Sequence, residues 1–144
     1  LIKRKHLKQN MVLTPHKGEF KALFGDVLGD NLQSTVSSLA GKYCATILLK
    51  GEVDVLSDGG CMRLNRSGNP AMTVGGTGDV LAGVIAGLIA QNRDLFASAC
   101  AAAFITGLAG DMAFERLGVS MAATDVIDSI HDAIKFSENV VKDI

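Results

Sequence analysis

Apolar positions fall into two kinds of period along this chain, and their order predicts an α/β layered domain. Asn10 to Thr14 (NMVLT) is short, apolar and followed by Pro15, the signature of a strand that ends in a loop. From Gly18 to Phe24, Phe20, Leu23 and Phe24 share one helical face, with Gly25 placed to cap the end. Asp30 to Ala40 predicts a second amphipathic helix with Leu32, Val36 and Leu39 inward. Cys44 to Lys50 (CATILLK) is apolar until its last residue, the pattern of a strand covered on both faces in a parallel sheet. EVDVLS and CMRLNR flank Asp58-Gly59-Gly60, a hairpin signal. Three helices follow: Asp79 to Gln91, about Leu95 to Leu117, and Thr124 to Ser137, the last with Thr124 as N-cap and Val126, Ile127, Ile130, Ala133 and Ile134 at helical spacing. No internal repeat, low-complexity tract or linker interrupts the series.

Composition changes this picture little. At 144 residues, 48% apolar and 20% charged, the chain fits one domain with an ordinary core. A formal net charge of −1 offers no general attraction to nucleic acid or anionic lipid, although Lys3, Arg4, Lys5 and Lys8 make the start locally basic. The uncharged runs Val80 to Asn92 and Leu95 to Gly110 fall short of the ~20 residues that span a bilayer, so both are expected as buried helices. Cys44, Cys61 and Cys100 are odd in number, far apart and set among apolar neighbours, which predicts buried, reduced thiols in a cytoplasmic protein and no zinc site. His6 and His131 are expected to be solvated.

Glycine changes it more. There are 16 glycines in 144 residues, about 11% against an ordinary ~7%, and many lie between Gly51 and Gly87. In an α/β domain, ligands gather where loops leave the carboxyl ends of strands. Pro15 to Glu19, Lys50 to Asp54 and Asn69 to Asp79 qualify.

In the last of these, GGTGD, Gly75, Gly76 and Gly78 let successive backbone N–H groups, with that of Thr77, converge on one anion, and the following helix adds its positive end. That is an anion hole for phosphate. Asp79 is either a dipole-compensating acid or a general base for a hydroxyl that attacks phosphorus; a carboxylate beside an anion cradle favours the base. The helix behind it carries Ala82, Gly83, Ala86, Gly87 and Ala90, predicting close backbone packing on that face. No GxxxxGK[ST] is present, and Leu81 stands where a dinucleotide fingerprint has its third Gly or Ala. Lys50 ends a strand, where its ammonium could reach a phosphate or merely snorkel. Asp111, inside an apolar helix, calls for an N–H or hydroxyl partner; Glu19 reads as a helix-start acid.

GNPAMTVGGTGDVLAGVIAGLIAQ, with LTPHKGEF, LLKG and AAAFITGLAGDMAFERLGVSMAATDVIDSI, closely resembles the ADP- or ATP-dependent NAD(P)H-hydrate dehydratases of the ribokinase-like superfamily. The resemblance covers essentially the whole chain. It implies a three-layer domain whose mostly parallel sheet is flanked by helices. It also implies transfer of the nucleotide's terminal phosphate to the hydroxyl of hydrated NADH or NADPH, then loss of phosphate, with ADP preferred as donor and magnesium on the nucleotide. By the same resemblance Asp79 contacts the hydrated substrate and serves as base, Gly78 lies at the nucleotide, and Gly75, Gly76, Thr77 and Gly78 form the anion hole. Lys50, Gly51, Glu52, Val53 and Asp54 correspond to the adenine-nucleotide segment, and His16 to a contact with the hydrated nucleotide. Two positions depart from the family pattern: Lys17 stands where TPHPGE has proline, and Asp54 where a hydroxyl residue is usual.

The family's catalytic domain is about twice as long, so residues 1–144 are expected to be its C-terminal part, inactive without the N-terminal half that would cover the sheet edge. Assembly into a homo-oligomer, and no nucleic-acid or membrane partner, are further expectations. The rival readings are a ribokinase-like kinase acting on a vitamin precursor or sugar, and a non-catalytic subunit that senses adenine nucleotide.

Overall fold

The computed structural model describes residues 10–27, 29 and 31–142. The basic stretch with Lys3, Arg4, Lys5, His6 and Lys8 lies outside them, as does Asp30 at the head of the second predicted helix. Element order is β1 (Val12–Leu13), α1 (Lys17–Phe24), α2 (Leu32–Tyr43), β2 (Thr46–Leu49), β3 (Asp54–Ser57), β4 (Met62–Asn65), α3 (Thr77–Asn92), α4 (Leu95–Leu117) and α5 (Ala123–Lys142), with 3-10 turns at Pro70–Met72 and Gly118–Ser120. The chain divides into two compact units, Leu1–Asn65 with Asn92–Cys100, and Arg66–Gln91 with Ala101–Ile144.

In the first unit four strands form one sheet in the order β1-β2-β3-β4. β1 pairs with β2 in parallel, but β2 with β3 and β3 with β4 are antiparallel. The sheet is therefore mixed and not mostly parallel. The apolar run of β2 does predict its burial, since all four of its residues are buried. It does not predict direction, because a strand covered on both faces reads alike whichever way its neighbours run. Phe20 and Phe24 of α1 and Val36 and Ala40 of α2 pack with Ile47, Leu49 and Val55 in this unit's core. Phe24 lies 4.8 Å from Phe20 and 5.5 Å from Tyr43, ring centre to ring centre.

The hairpin falls where the DG signal puts it, with Ser57 opposite Met62. Asp58 Oδ1 accepts from the amides of Gly60 and Cys61, and these donors, Cys61 above all, hold its carboxyl below the ordinary carboxylate range. Gly59 has φ +94°, and a Cβ there would lie 2.4 Å from Gly41 Cα in α2. Gly59→Ala combines left-handed strain of about 1–2 kcal/mol with an overpacking cost of about 1–3 kcal/mol. We expect a loss of about 2–5 kcal/mol in a urea titration; an unchanged midpoint would show that the hairpin tip does not press on α2.

Burial of the cysteines is not observed. Cys44 and Cys61 are exposed and Cys100 is half-buried. Cys44 is not in a strand but ends α2 at φ 50°, and Cys61 follows the hairpin turn. Burial pushes the Cys100 thiol up.

In the second unit Val80, Ile105, Ala109, Ala113, Met121, Val126 and Ala133 form a core drawn from α3, α4 and α5. Helix α5 begins one residue before Thr124. Asp125 Oδ2 accepts from the Ala122 amide at 2.7 Å, so the acid two residues inside the helix caps it and Thr124 does not. The segment Leu95–Ser120 is long and apolar enough to cross a membrane by length and composition, because its charged residues, Asp111, Glu115 and Arg116, all lie toward its end; half of its apolar window is buried inside the fold.

Candidate functional site

The glycine loop of the second unit is built on α4. Gly107 and Gly110 leave room for it: a Cβ at Gly107 would lie 2.2 Å from Ser67 Oγ, and one at Gly110 would lie 2.2 Å from Met72 Sδ. The Ser67 hydroxyl donates to the Phe104 carbonyl at 3.1 Å. Asp111, the acid inside the apolar helix, accepts from the Gly68 amide and from Asn69 Nδ2, both at 2.9 Å. Asn69 Oδ1 in turn accepts from the Ala71 amide at 3.1 Å. Asp111 thus finds the N–H partners its position demands and clamps the start of the loop. The sequence gives no sign of Asn69, Gly107 and Gly110 in this role, although small residues one turn apart beside an acid are the trace it leaves.

The Thr77 hydroxyl donates to the Met72 carbonyl at 2.8 Å and lies 3.0 Å from the Val74 carbonyl. Its side chain therefore closes the turn, and only its backbone amide is available as a donor. Gly76 turns at φ +98°, and its carbonyl accepts from the amides of Asp79 at 3.0 Å and Val80 at 3.1 Å. Those two amides are consumed. The amides of Gly75, Gly76, Thr77 and Gly78 make no hydrogen bond among the described residues. Four successive donors at the N-terminus of a 16-residue helix are groups that can receive an anion, with the helix dipole behind them. Asp79 lies in the first turn of that helix and is exposed.

Close packing on the small-residue face of α3 is not observed. Ala82, Gly83, Ala86, Gly87 and Ala90 are exposed, and a Cβ at Gly83 or Gly87 would meet nothing within 4 Å. Val80, Leu81 and Ile85 form the buried face instead.

In the first unit, the loop after β1 and the end of β2 bring His16, Glu19 and Lys50 together. The Lys50 amide donates to the Pro15 carbonyl at 2.9 Å, and His16 and Lys50 form an isolated parallel bridge. His16 caps α1: its Nδ1 accepts from the Glu19 amide at 3.1 Å, while its own amide donates to Glu19 Oε2 at 2.8 Å. Lys50 Nζ lies 3.8 Å from the same oxygen. The His16 amide first, and the Lys50 ammonium after it, hold the Glu19 carboxyl below its ordinary range. Lys17 opens α1, the position where a proline costs nothing because the N–H has no helical partner. The helix start is the same with either residue.

Gly51 and Glu52 are exposed and Val53 is half-buried. Asp54 is spent inside this segment: Oδ1 accepts from the Gly51 amide and Oδ2 from Asn65 Nδ2, both at 3.0 Å. The acid serves as a clip on the turn between β2 and β3.

Comparison with known proteins identifies the family. A family profile described as NAD(P)H-hydrate dehydratase matches residues 2–132. The bifunctional NAD(P)H-hydrate repair enzyme of Archaeoglobus fulgidus is 53% identical over 123 residues, which is 85% of this chain and 25% of that protein. The ADP-dependent (S)-NAD(P)H-hydrate dehydratase of Cenarchaeum symbiosum is 48% identical over 130 residues, 88% of this chain and 45% of that protein. The crystal structure of an ADP/ATP-dependent NAD(P)H-hydrate dehydratase from Bacillus subtilis, co-crystallized with ATP/Mg2+ and soaked with CoA, superposes with a TM-score of 0.80 at 25% identity, covering 92% of this chain and 54% of the other. The chain thus spans a quarter to about half the length of these relatives. With a profile match over nearly its whole length, the chain belongs to the NAD(P)H-hydrate dehydratase family.

Proposed function

We propose that this chain is the C-terminal part of a three-layer ribokinase-like domain that dehydrates hydrated NADH or NADPH at the expense of an adenine nucleotide. The observation that carries the reading is the run of four unbonded amides, Gly75 to Gly78, immediately before the carboxylate of Asp79. In this scheme the substrate hydroxyl loses its proton to Asp79 and its oxygen attacks the terminal phosphorus of the nucleotide, breaking that phosphorus's bond to the bridging oxygen and releasing AMP when ADP is the donor. The four amides stabilise the charge on the migrating group from fixed positions, which is where such donors contribute most. Phosphate then leaves with its bonding electron pair, the neighbouring ring carbon gives up a proton, and the electrons of that C–H bond restore the ring's double bond.

Each unit supplies its own candidate contacts: Gly78 for the nucleotide in the second, and in the first Lys50 to Val53 for the nucleotide and His16 for the hydrated substrate. Asp54 keeps that segment in shape. Magnesium would arrive on the nucleotide's own phosphates and neutralise part of their charge. Among the described residues no group of three or more His, Cys, Asp or Glu side chains could hold a metal ion, so the phosphates are the donors that fit it. ADP is the preferred phosphate source, a reading supported by the ADP-dependent relative.

The bare face of α3 supports the partial-domain reading. A helix that carries no charge from Val80 to Asn92 belongs in an interior, yet its glycines meet nothing here. The other half of the domain is the element that would cover it. The test is reconstitution: this chain mixed with a separately produced N-terminal half of an archaeal relative, then supplied with hydrated NADH and ADP. The expected products are NADH and free phosphate, from the mixture only. A stable phosphorylated product would identify a kinase, and binding without turnover would leave a nucleotide sensor.

A further inference from the structure

The loop that enters α1 fixes more than the start of a helix. His16 Nδ1 accepts a hydrogen bond from the Glu19 amide at 3.1 Å. A ring nitrogen that accepts carries no proton, so the neutral imidazole must carry its proton on Nε2. Nε2 itself makes no hydrogen bond among the described residues: its nearest charged neighbour, Glu19 Oε2, is 3.6 Å away, and the His16 side chain is 59% exposed. Gly18 makes space for the ring, since a Cβ there would lie 3.0 Å from His16 Cε1 and 3.2 Å from Nδ1. The clamp is reciprocal, because Glu19 Oε2 accepts from the His16 amide at 2.8 Å and so holds the backbone from which the ring projects. The same oxygen lies 3.8 Å from Lys50 Nζ.

We propose that Glu19 is a positioning residue that locks His16 in the Nε2–H tautomer beside the Lys50 ammonium, so that this corner meets its ligand with hydrogen-bond donors. Such a corner takes an oxygen acceptor, of the kind a phosphate, a hydroxyl or a carboxamide carbonyl presents. It discriminates against a group that can only donate, because an N–H set against a donor leaves both unpaired. The assignment of the ligand as hydrated nucleotide rests on the function proposed above; the tautomer does not.

The test is a long-range proton–nitrogen correlation spectrum of the 15N-labelled chain at a pH where its imidazoles are neutral, with the His16 signals identified by their loss in His16→Gln. The expected result is a single Nε2–H form. Glu19→Gln, whose amide oxygen can still accept from the His16 N–H, should keep it; Glu19→Ala should release the loop and give a mixture of both tautomers. Mixed tautomers in the unsubstituted chain, or an unaltered ring in Glu19→Ala, would overturn the proposal. Should Glu19→Ala not fold, Glu19→Asp, one methylene shorter and so drawn back from the His16 amide, takes its place in the comparison with the same two outcomes. In the reconstituted domain, Glu19→Ala should raise KM for the hydrated nucleotide several-fold with kcat kept, and Glu19→Gln should restore it. A locked ring together with an unmoved KM supports the clamp and removes His16 from the substrate contact.

Discussion

Asp79→Asn, placed in the reconstituted domain, lowers turnover by a factor on the order of 10²–10⁴, the usual contribution of a positioned general base. Asparagine keeps the size and the first-turn position but cannot take up a proton. It also removes a negative charge from beside the four free amides of Gly75 to Gly78. Nucleotide affinity should therefore hold or rise while kcat falls. A carboxylate that only complements the helix dipole would behave differently: its removal costs about 0.3–1 kcal/mol of stability and leaves kcat alone. Calorimetry with ADP, single-turnover kinetics and a urea titration on one preparation separate the two roles. Unchanged turnover would remove Asp79 from the chemistry.

Gly76→Ala is the second large effect, and it acts through backbone. Gly76 has φ +98°, and an added Cβ would lie 3.0 Å from the Ala123 Cβ at the start of α5. Left-handed strain costs about 1–2 kcal/mol, and the crowding can be relieved only if the loop or the head of α5 shifts. Either shift changes the direction of the Gly76, Thr77 and Gly78 amides. Loss of one aligned donor at such a site typically costs about 10²–10³ in kcat, so that loss is expected here with a modest drop in the urea midpoint. Gly83→Ala, in this chain by itself, is the stability control within the same helix. Its Cβ meets nothing within 4 Å, and helix propensity alone predicts a gain of up to about 1 kcal/mol. An unchanged kcat in Gly76→Ala would show that the loop's backbone conformation has no part in catalysis.

How much of the site is legible in the sequence depends on how local each interaction is. The DG hairpin, the proline after β1 and the turn at Gly76 are set by φ preferences and hydrogen bonds spanning a few residues, and each lies where its residues place it. The N-terminus of α5 is also local, yet Thr124 is the wrong choice: Asp125 reaches back to the Ala122 amide, so two candidate caps compete and a one-residue shift decides. For Asp111 the need for an N–H partner is legible, because a carboxylate in an apolar helix must be satisfied. Its partners, Gly68 and Asn69, are more than 40 positions away and are not. Likewise the resemblance marks His16 and the helix start marks Glu19, and only the tertiary structure joins them as one capping box.

The sequence by itself determined the α and β elements, the glycine loop with its acid, and the family, because short-range periodicity and a dense motif carry that information. Tertiary structure alone decided the direction of strand pairing, the exposure of Cys44 and Cys61, the use of Asp54 as an internal clip, and the bare face of α3. Each of these depends on which distant segment lies alongside. A residue's own type states what it must bury or bond, and the rest of the chain supplies the neighbour.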